Sequence, residues 1–146
     1  MKKLFFTALI AVSVSFGSSA QDVNQFDQKA VYNFKSSFAG ASHVEWSSKE
    51  NFTIASFLQD DHKVEVFYNT DGDFVAASNQ VGMEQLPSYF KKVVEKKYSN
   101  YTVKEAFKLN GNDEIAYFIF AENDEDKIVL KAKQGSVSLY SKKAKI

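Results

Sequence analysis

The chain contains no cysteine and no arginine, and only one proline and six glycines in 146 residues. Without cysteine there can be no disulfide, no thiolate metal site, no thiol nucleophile and no lipid-modified cysteine at an export cleavage point. The folded protein must hold itself together by packing. Arginine is the usual source of bidentate contacts to phosphate and base edges, so its absence argues against a dedicated nucleic-acid reader. Charge of either sign is not in excess, with 18 lysines against 18 acidic residues. The longest apolar run, Leu4 to Phe16, falls short of the roughly 20 residues needed to span a bilayer.

What the chain does have at its start is an export signal. Met1-Lys2-Lys3 is basic, Leu4 to Phe16 is apolar, and Ser18-Ser19-Ala20 places small residues where a signal peptidase cuts. This pattern predicts a secretory signal peptide over residues 1–20, cleaved after Ala20, and a mature protein in the periplasm or outside the cell with no stable membrane anchor. About 126 residues then remain, enough to bury a sizeable core. Aromatics are abundant at 15%, with 14 phenylalanines.

From there on the sequence reads as the same unit twice. Phe26, Ala30, Phe34 and Phe38 slide onto Leu86, Phe90, Val94 and Tyr98, two apolar stripes at helical spacing. Lys63 to Ser78 slides onto Asp126 to Ser141, matching Gly72 with Gly135. The alternations in the two segments are one residue out of phase, which calls for a bulge or a shifted turn in one of them. The expected fold is therefore α+β, a tandem repeat of helix plus three- to four-stranded antiparallel sheet, with units at 21–80 and 81–146.

The first helix is expected from Val23 or Asn24, capped by Asp22 or Asn24, to Phe38, ending at Ala39-Gly40. The second opens at Pro87, where a missing N–H costs nothing, and runs to about Tyr98. Strands are expected at 43–47, 51–58, 63–68, 74–78, 103–109, 114–121, 127–133 and 136–140. Hairpins are signalled by Asp71-Gly72, Asn110-Gly111 and Gln134-Gly135. Ser141 to Ile146 reads as a fraying lysine-rich tail. Lys91-Lys92 and Lys96-Lys97 flank the second apolar stripe as its solvated face.

Two features bear on function. In Ile115 to Ala121 both alternating faces are apolar, so something other than the expected helix must cover the second face: the other unit, a loop, or a partner. Trp46 reads either as a core plug or as part of a contact surface. If the sheets share a face, Phe67, Phe118 and Phe120, bordered by Trp46, would form an aromatic patch of the kind that anchors protein interfaces. Helical burial of the same rings is the competing reading.

The signals for chemistry are weak. His43 and His62 share no metal-ligand spacing, although His62 with Asp60 and Asp61 leaves a metal or small-ligand sensor as an alternative. The acidic turns lack the ligand order of a calcium loop. No Gly-x-Ser-x-Gly occurs and no serine lies in an activating motif. Carboxylates such as Glu45, Glu65 and Asp71 keep a hydrolase of envelope glycans or peptides open as a second alternative. No cofactor, metal or catalytic residue is expected.

Three stretches, FKSSFAGASHVEW from Phe34, KVEVFYNTDGDFVAAS from Lys63 and LPSYFKKVVEKKYSNY from Leu86, resemble the β-lactamase-inhibitor-like, PepSY-like family of small exported bacterial proteins, common in the Bacteroidetes. Val44-x-Trp46, the Asp71-Gly72 hairpin and Leu86-Pro87 are the most specific of the shared elements. The resemblance implies a fold similar to β-lactamase inhibitory protein. It carries over no inhibitory contact residue, because the true inhibitors bear disulfides and this chain has none. Together these readings point to an exported, non-enzymatic binding or inhibitor-like module whose partner is another exported protein or an envelope component.

Overall fold

The computed structural model describes residues 22–146, so the expected signal peptide and its cleavage after Ala20 lie outside the described residues. A 3-10 turn at Val23–Gln25 precedes helix α1, Gln28–Ser37. The helix does not begin at Val23 because the Asp27 carboxylate captures the Ala30 N–H at 2.8 Å and starts a new helix there. Four strands follow: β1 (Glu45–Lys49), β2 (Phe52–Gln59), β3 (His62–Tyr68) and β4 (Phe74–Val81). A second 3-10 turn at Met83–Gln85 leads into α2, Ser88–Lys97, with Pro87 at its N-cap position. The chain ends in β5 (Thr102–Gly111), β6 (Ile115–Glu122), β7 (Asp126–Lys133) and β8 (Ser136–Ala144).

The expected tandem repeat of helix plus three- to four-stranded sheet is overturned. All eight strands form one antiparallel sheet in sequence order, β1 to β8. The joint between the supposed units is a full ladder, with β4 and β5 in register from Ala76 opposite Gly111 to Val81 opposite Ala106. Strand dominates the described residues, and two ten-residue helices accompany it there. The physical reason lies in Asn79-Gln80-Val81, which continue β4 beyond the strand expected at 74–78. A strand ending at Ser78 would leave backbone donors and acceptors unpaired along a sheet edge, and extending β4 satisfies them on β5.

The C-terminal tail is also corrected. Residues 141–144 continue β8 rather than fray, and the Lys145 N–H donates to the Glu125 carbonyl at 2.7 Å. Register shifts occur at Phe67/Tyr68 between β3 and β4, at Val103/Glu105 between β5 and β6 and at Val129/Leu130 between β7 and β8, so the two aligned hairpins both carry the irregularity expected of one.

Strand alternation sorts the side chains onto two faces. Ala77 and Val81 of β4 pack with the helix-side clusters, whereas Ala76 packs with the opposite one, so α1 and α2 cover the same side of the sheet. Under α1, Ala30, Val31 and Phe34 meet Trp46, Ala55, Phe57, Val64, Val66 and Tyr68. Under α2, Leu86 and Val94 meet Ala106, Ile119, Ala121, Ile128 and Leu130. The third cluster, Ile54, Phe67, Ala76, Leu109, Ala116 and Phe118, lies on the side that carries no helix among the described residues.

Both sheet edges are blunted. β1 is five residues long and is flanked by His43 and Glu50, both with positive φ. β8 carries its register shift together with Lys142 and Lys143. Short edges, bulges and lysines are the usual devices against strand-to-strand aggregation.

Candidate functional site: the helix-free face of the sheet

The helix-free face is built from residues that stand opposite one another across the ladders. One row runs Ser47, Ile54, Phe67, Ala76 and Gly111, through the pairs of β1 to β5. A second runs Glu45, Ser56, Glu65, Ser78, Leu109 and Ala116. A third brings Gln80, Phe107, Phe118, Lys131 and Ser138 together. Over β1–β4 the face thus sets Ile54 and Phe67 among small and polar residues, and over β5 and β6 it carries Phe107 and Phe118.

The aromatic part is a connected set of rings. Phe118 is fully buried, at 0% exposure, although no helix lies over it. Tyr140 meets it edge-on at 5.3 Å, Lys131 Nζ stands 5.6 Å from its ring centre, and Phe107 faces it across the ladder. Phe107 and Phe120 pack edge to face at 5.7 Å, and both are only half-buried. Phe67 is buried at 2% exposure and takes Phe52 edge-on at 6.5 Å. These separations fall in the range where aromatic pairs add to simple area burial.

Of the four residues singled out from sequence, three share this cluster and one does not. Phe67 and Phe118 are its buried floor, and Phe120 packs against it half-exposed. Trp46 lies on the other side of the sheet, 5% exposed, with its rings 5.3 Å from Phe34 and 6.1 Å from Phe26. The parity of β1 puts it there: Trp46 pairs with Ala55, and Ala55 with Val66, both under α1. Phe107 was not singled out. It stands between Ala106 and Lys108 in a strand of mixed pattern, and only its pairing with Phe118 marks it.

Charges frame the rings. Glu114 bridges Lys131 at 2.8 Å and also contacts Lys133, and although burial pushes its carboxyl up, the two ammonium groups hold it below the ordinary carboxylate range. Lys63 lies 3.8 Å from Glu105, and its backbone N–H donates to Gln80 Oε1 at 3.2 Å. Glu65, in register between the buried Ser56 and Ser78, has its carboxyl pushed up by burial, an effect that Lys63 and Lys49 oppose.

The groups considered for chemistry are spread apart. Glu45 and Glu65 share this face but sit two strands apart, about 10 Å at the backbone. Asp71 is at the β3–β4 hairpin tip, where its N–H donates to Asn69 Oδ1. His62, Asp60 and Asp61 are exposed at the β2–β3 turn, and His43 is exposed before β1. Among the described residues no group of three His, Asp or Glu side chains could hold a metal ion.

No family model matches the chain, and no curated protein matches it. Solved structures do. A DUF2874 family protein from Bacteroides uniformis superposes with a TM-score of 0.70 at 14% identity, over 82% of this chain and 89% of that one. A Bacteroides eggerthii protein named for a periplasmic location gives 0.71 at 14%, over 81% and 88%. A BLIP-like protein from Bacteroides fragilis gives 0.63 at 18%, over 81% and 85%. Likeness at such identity establishes the fold alone, and the fold of this chain is BLIP-like.

Proposed function

We propose that this chain is an exported, non-enzymatic binding module of the β-lactamase-inhibitor-like, PepSY-like kind, and that it docks an exported protein partner on the helix-free face of its sheet. The observation that carries this reading is the Phe107–Phe120 pair, edge to face and half-buried on a side that no helix of the described residues covers. Phe67 and Phe118 form the rigid floor beneath and Tyr140 the rim. Half-exposed aromatics on a pre-packed base lose little conformational freedom on binding, which is why such residues anchor interfaces. The DUF2874 and BLIP-like neighbours support a binding role through shared fold.

The test is affinity capture from envelope extract with wild type and with a Phe107→Ser/Phe120→Ser variant, folding being checked by circular dichroism. Loss of the captured partner by a folded double variant is the expected outcome. Equal capture by both would remove the face from consideration.

A further inference from the structure

We propose that the outer face of α2 rests on an anionic phospholipid bilayer surface, an inference that shares with the functional reading only its assumption of export. The observation is an imbalance in how lysines are neutralised. Six lysines of the sheet and its C-terminal end, Lys63, Lys104, Lys131, Lys133, Lys142 and Lys145, lie within ion-pair distance of a carboxylate, whereas Lys108, Lys127 and Lys143 are the sheet lysines scattered over β5, β7 and β8 that do not, among the described residues. The four lysines of α2 form no ion pair among the described residues, and Lys91 Nζ reaches only the Glu84 carbonyl, at 3.4 Å.

The geometry places that charge on the side away from the sheet. Phe90 and Val94 are the buried residues of α2, so Lys92 and Lys96, half a turn round from each in succession, point outward and are exposed. They stand four apart on one stripe, where like charges repel. The helix dipole favours Lys96 and Lys97 in the last turn but gives no reason for Lys92 in the middle. Glu95 is the single acidic residue of the helix, leaving α2 with a formal charge of plus three from four lysines and one glutamate. Tyr89, 54% exposed on the first turn, adds an amphipathic ring suited to the headgroup region. Lysine ammoniums are point charges without arginine's directional fork, so this face suits a diffuse anionic surface better than one shaped phosphate. On α1 the charge is sparser: Lys29 is held by Asp73 at 2.6 Å, which leaves the exposed Lys35 of the last turn as its one lysine without an ion pair among the described residues.

Sedimentation of the mature chain with vesicles tests the proposal at low ionic strength. Vesicles of phosphatidylethanolamine with phosphatidylglycerol should bind it, and phosphatidylcholine vesicles should not. Each lysine near the surface contributes about 5-fold, so Lys92→Gln/Lys96→Gln should weaken partitioning by about 25-fold. Lys127→Gln/Lys143→Gln, a cross-strand pair on the sheet, should change it far less. The Phe107→Ser/Phe120→Ser variant should bind vesicles as wild type does, which separates this proposal from the docking face. Equal binding to both vesicle types, or an unchanged α2 variant, would overturn it. Displacement by soluble polyglutamate at matched charge would overturn it too, in favour of an acidic protein partner.

Discussion

The region before Gly82 and the region after it use the same elements and solve their packing differently. Under α1 the core is aromatic, with Phe34 stacked on Phe38 at 5.1 Å and edge-on to Trp46 and Phe57. Under α2 the buried set is mainly aliphatic, Leu86, Val94, Ile119, Ile128 and Leu130. The last hairpins differ as well. Gly72, at φ +74°, is pressed against the start of α1, so that a Cβ there would lie 2.5 Å from Asp27 Oδ1 and 2.9 Å from the Ala30 nitrogen. Asn33 donates to the Gly72 carbonyl at 2.8 Å, tying the tip to the helix. Gly135 has nearly the same φ, +76°, with nothing within 4 Å of its Cβ position. Two glycines that align in sequence therefore do different work, one a docking contact and the other only a turn.

The largest break in that comparison should come from the helix cores. Phe34→Ala removes a ring that touches three others and should cost about 4 kcal/mol, against about 2 kcal/mol for Val94→Ala, read from urea denaturation midpoints. Equal losses would mean that the aromatic core is no better packed than the aliphatic one.

The glycines give the next largest difference. Gly72→Ala combines positive-φ strain with collision against backbone and should destabilise by about 3 kcal/mol, whereas Gly135→Ala carries only the strain, about 1 kcal/mol. Thermal unfolding of the two single variants measures the gap directly.

Smaller effects come from the two carboxylates on the helix-free face, and they should run in opposite directions with pH. Glu114 has a depressed folded pKa, so its contribution is present above the ordinary glutamate pKa and is lost as pH falls through the folded value. Glu114→Gln should cost about 1 kcal/mol at pH 7, discounted for partial exposure, and progressively less as pH falls below the ordinary glutamate range. Glu65 has a raised folded pKa, so its contribution is full below the unfolded value and is lost as pH rises through the folded one. Glu65→Gln should be more stable than wild type at pH 7, by under about 1 kcal/mol, and equal to it at pH 4. Stability curves of the two variants that move in the same direction would refute this pairing.

Much of this was legible in the chain. The helical stripes, of which Ala30, Phe34, Phe90 and Val94 lie inside the helices, and the hairpins at Gly72 and Gly135 follow from local rules: 3.6-residue periodicity and left-handed turns at glycine. The sequence also marked the strand carrying Phe118 and Phe120 as apolar on both faces, and left open whether a helix or something else covers those rings. Trp46 could not be assigned in the same way, since a residue's face depends on strand parity counted through every turn and bulge.

What the sequence by itself determined is the set of elements and their amphipathic faces, because each depends on residues within a few positions of one another. Only the tertiary structure decided that eight strands join in one sheet, that both helices take the same side, and that Phe107 meets Phe120. Those outcomes depend on which backbone edges find each other across the β4–β5 ladder, a pairing between segments some thirty residues apart that no local pattern records.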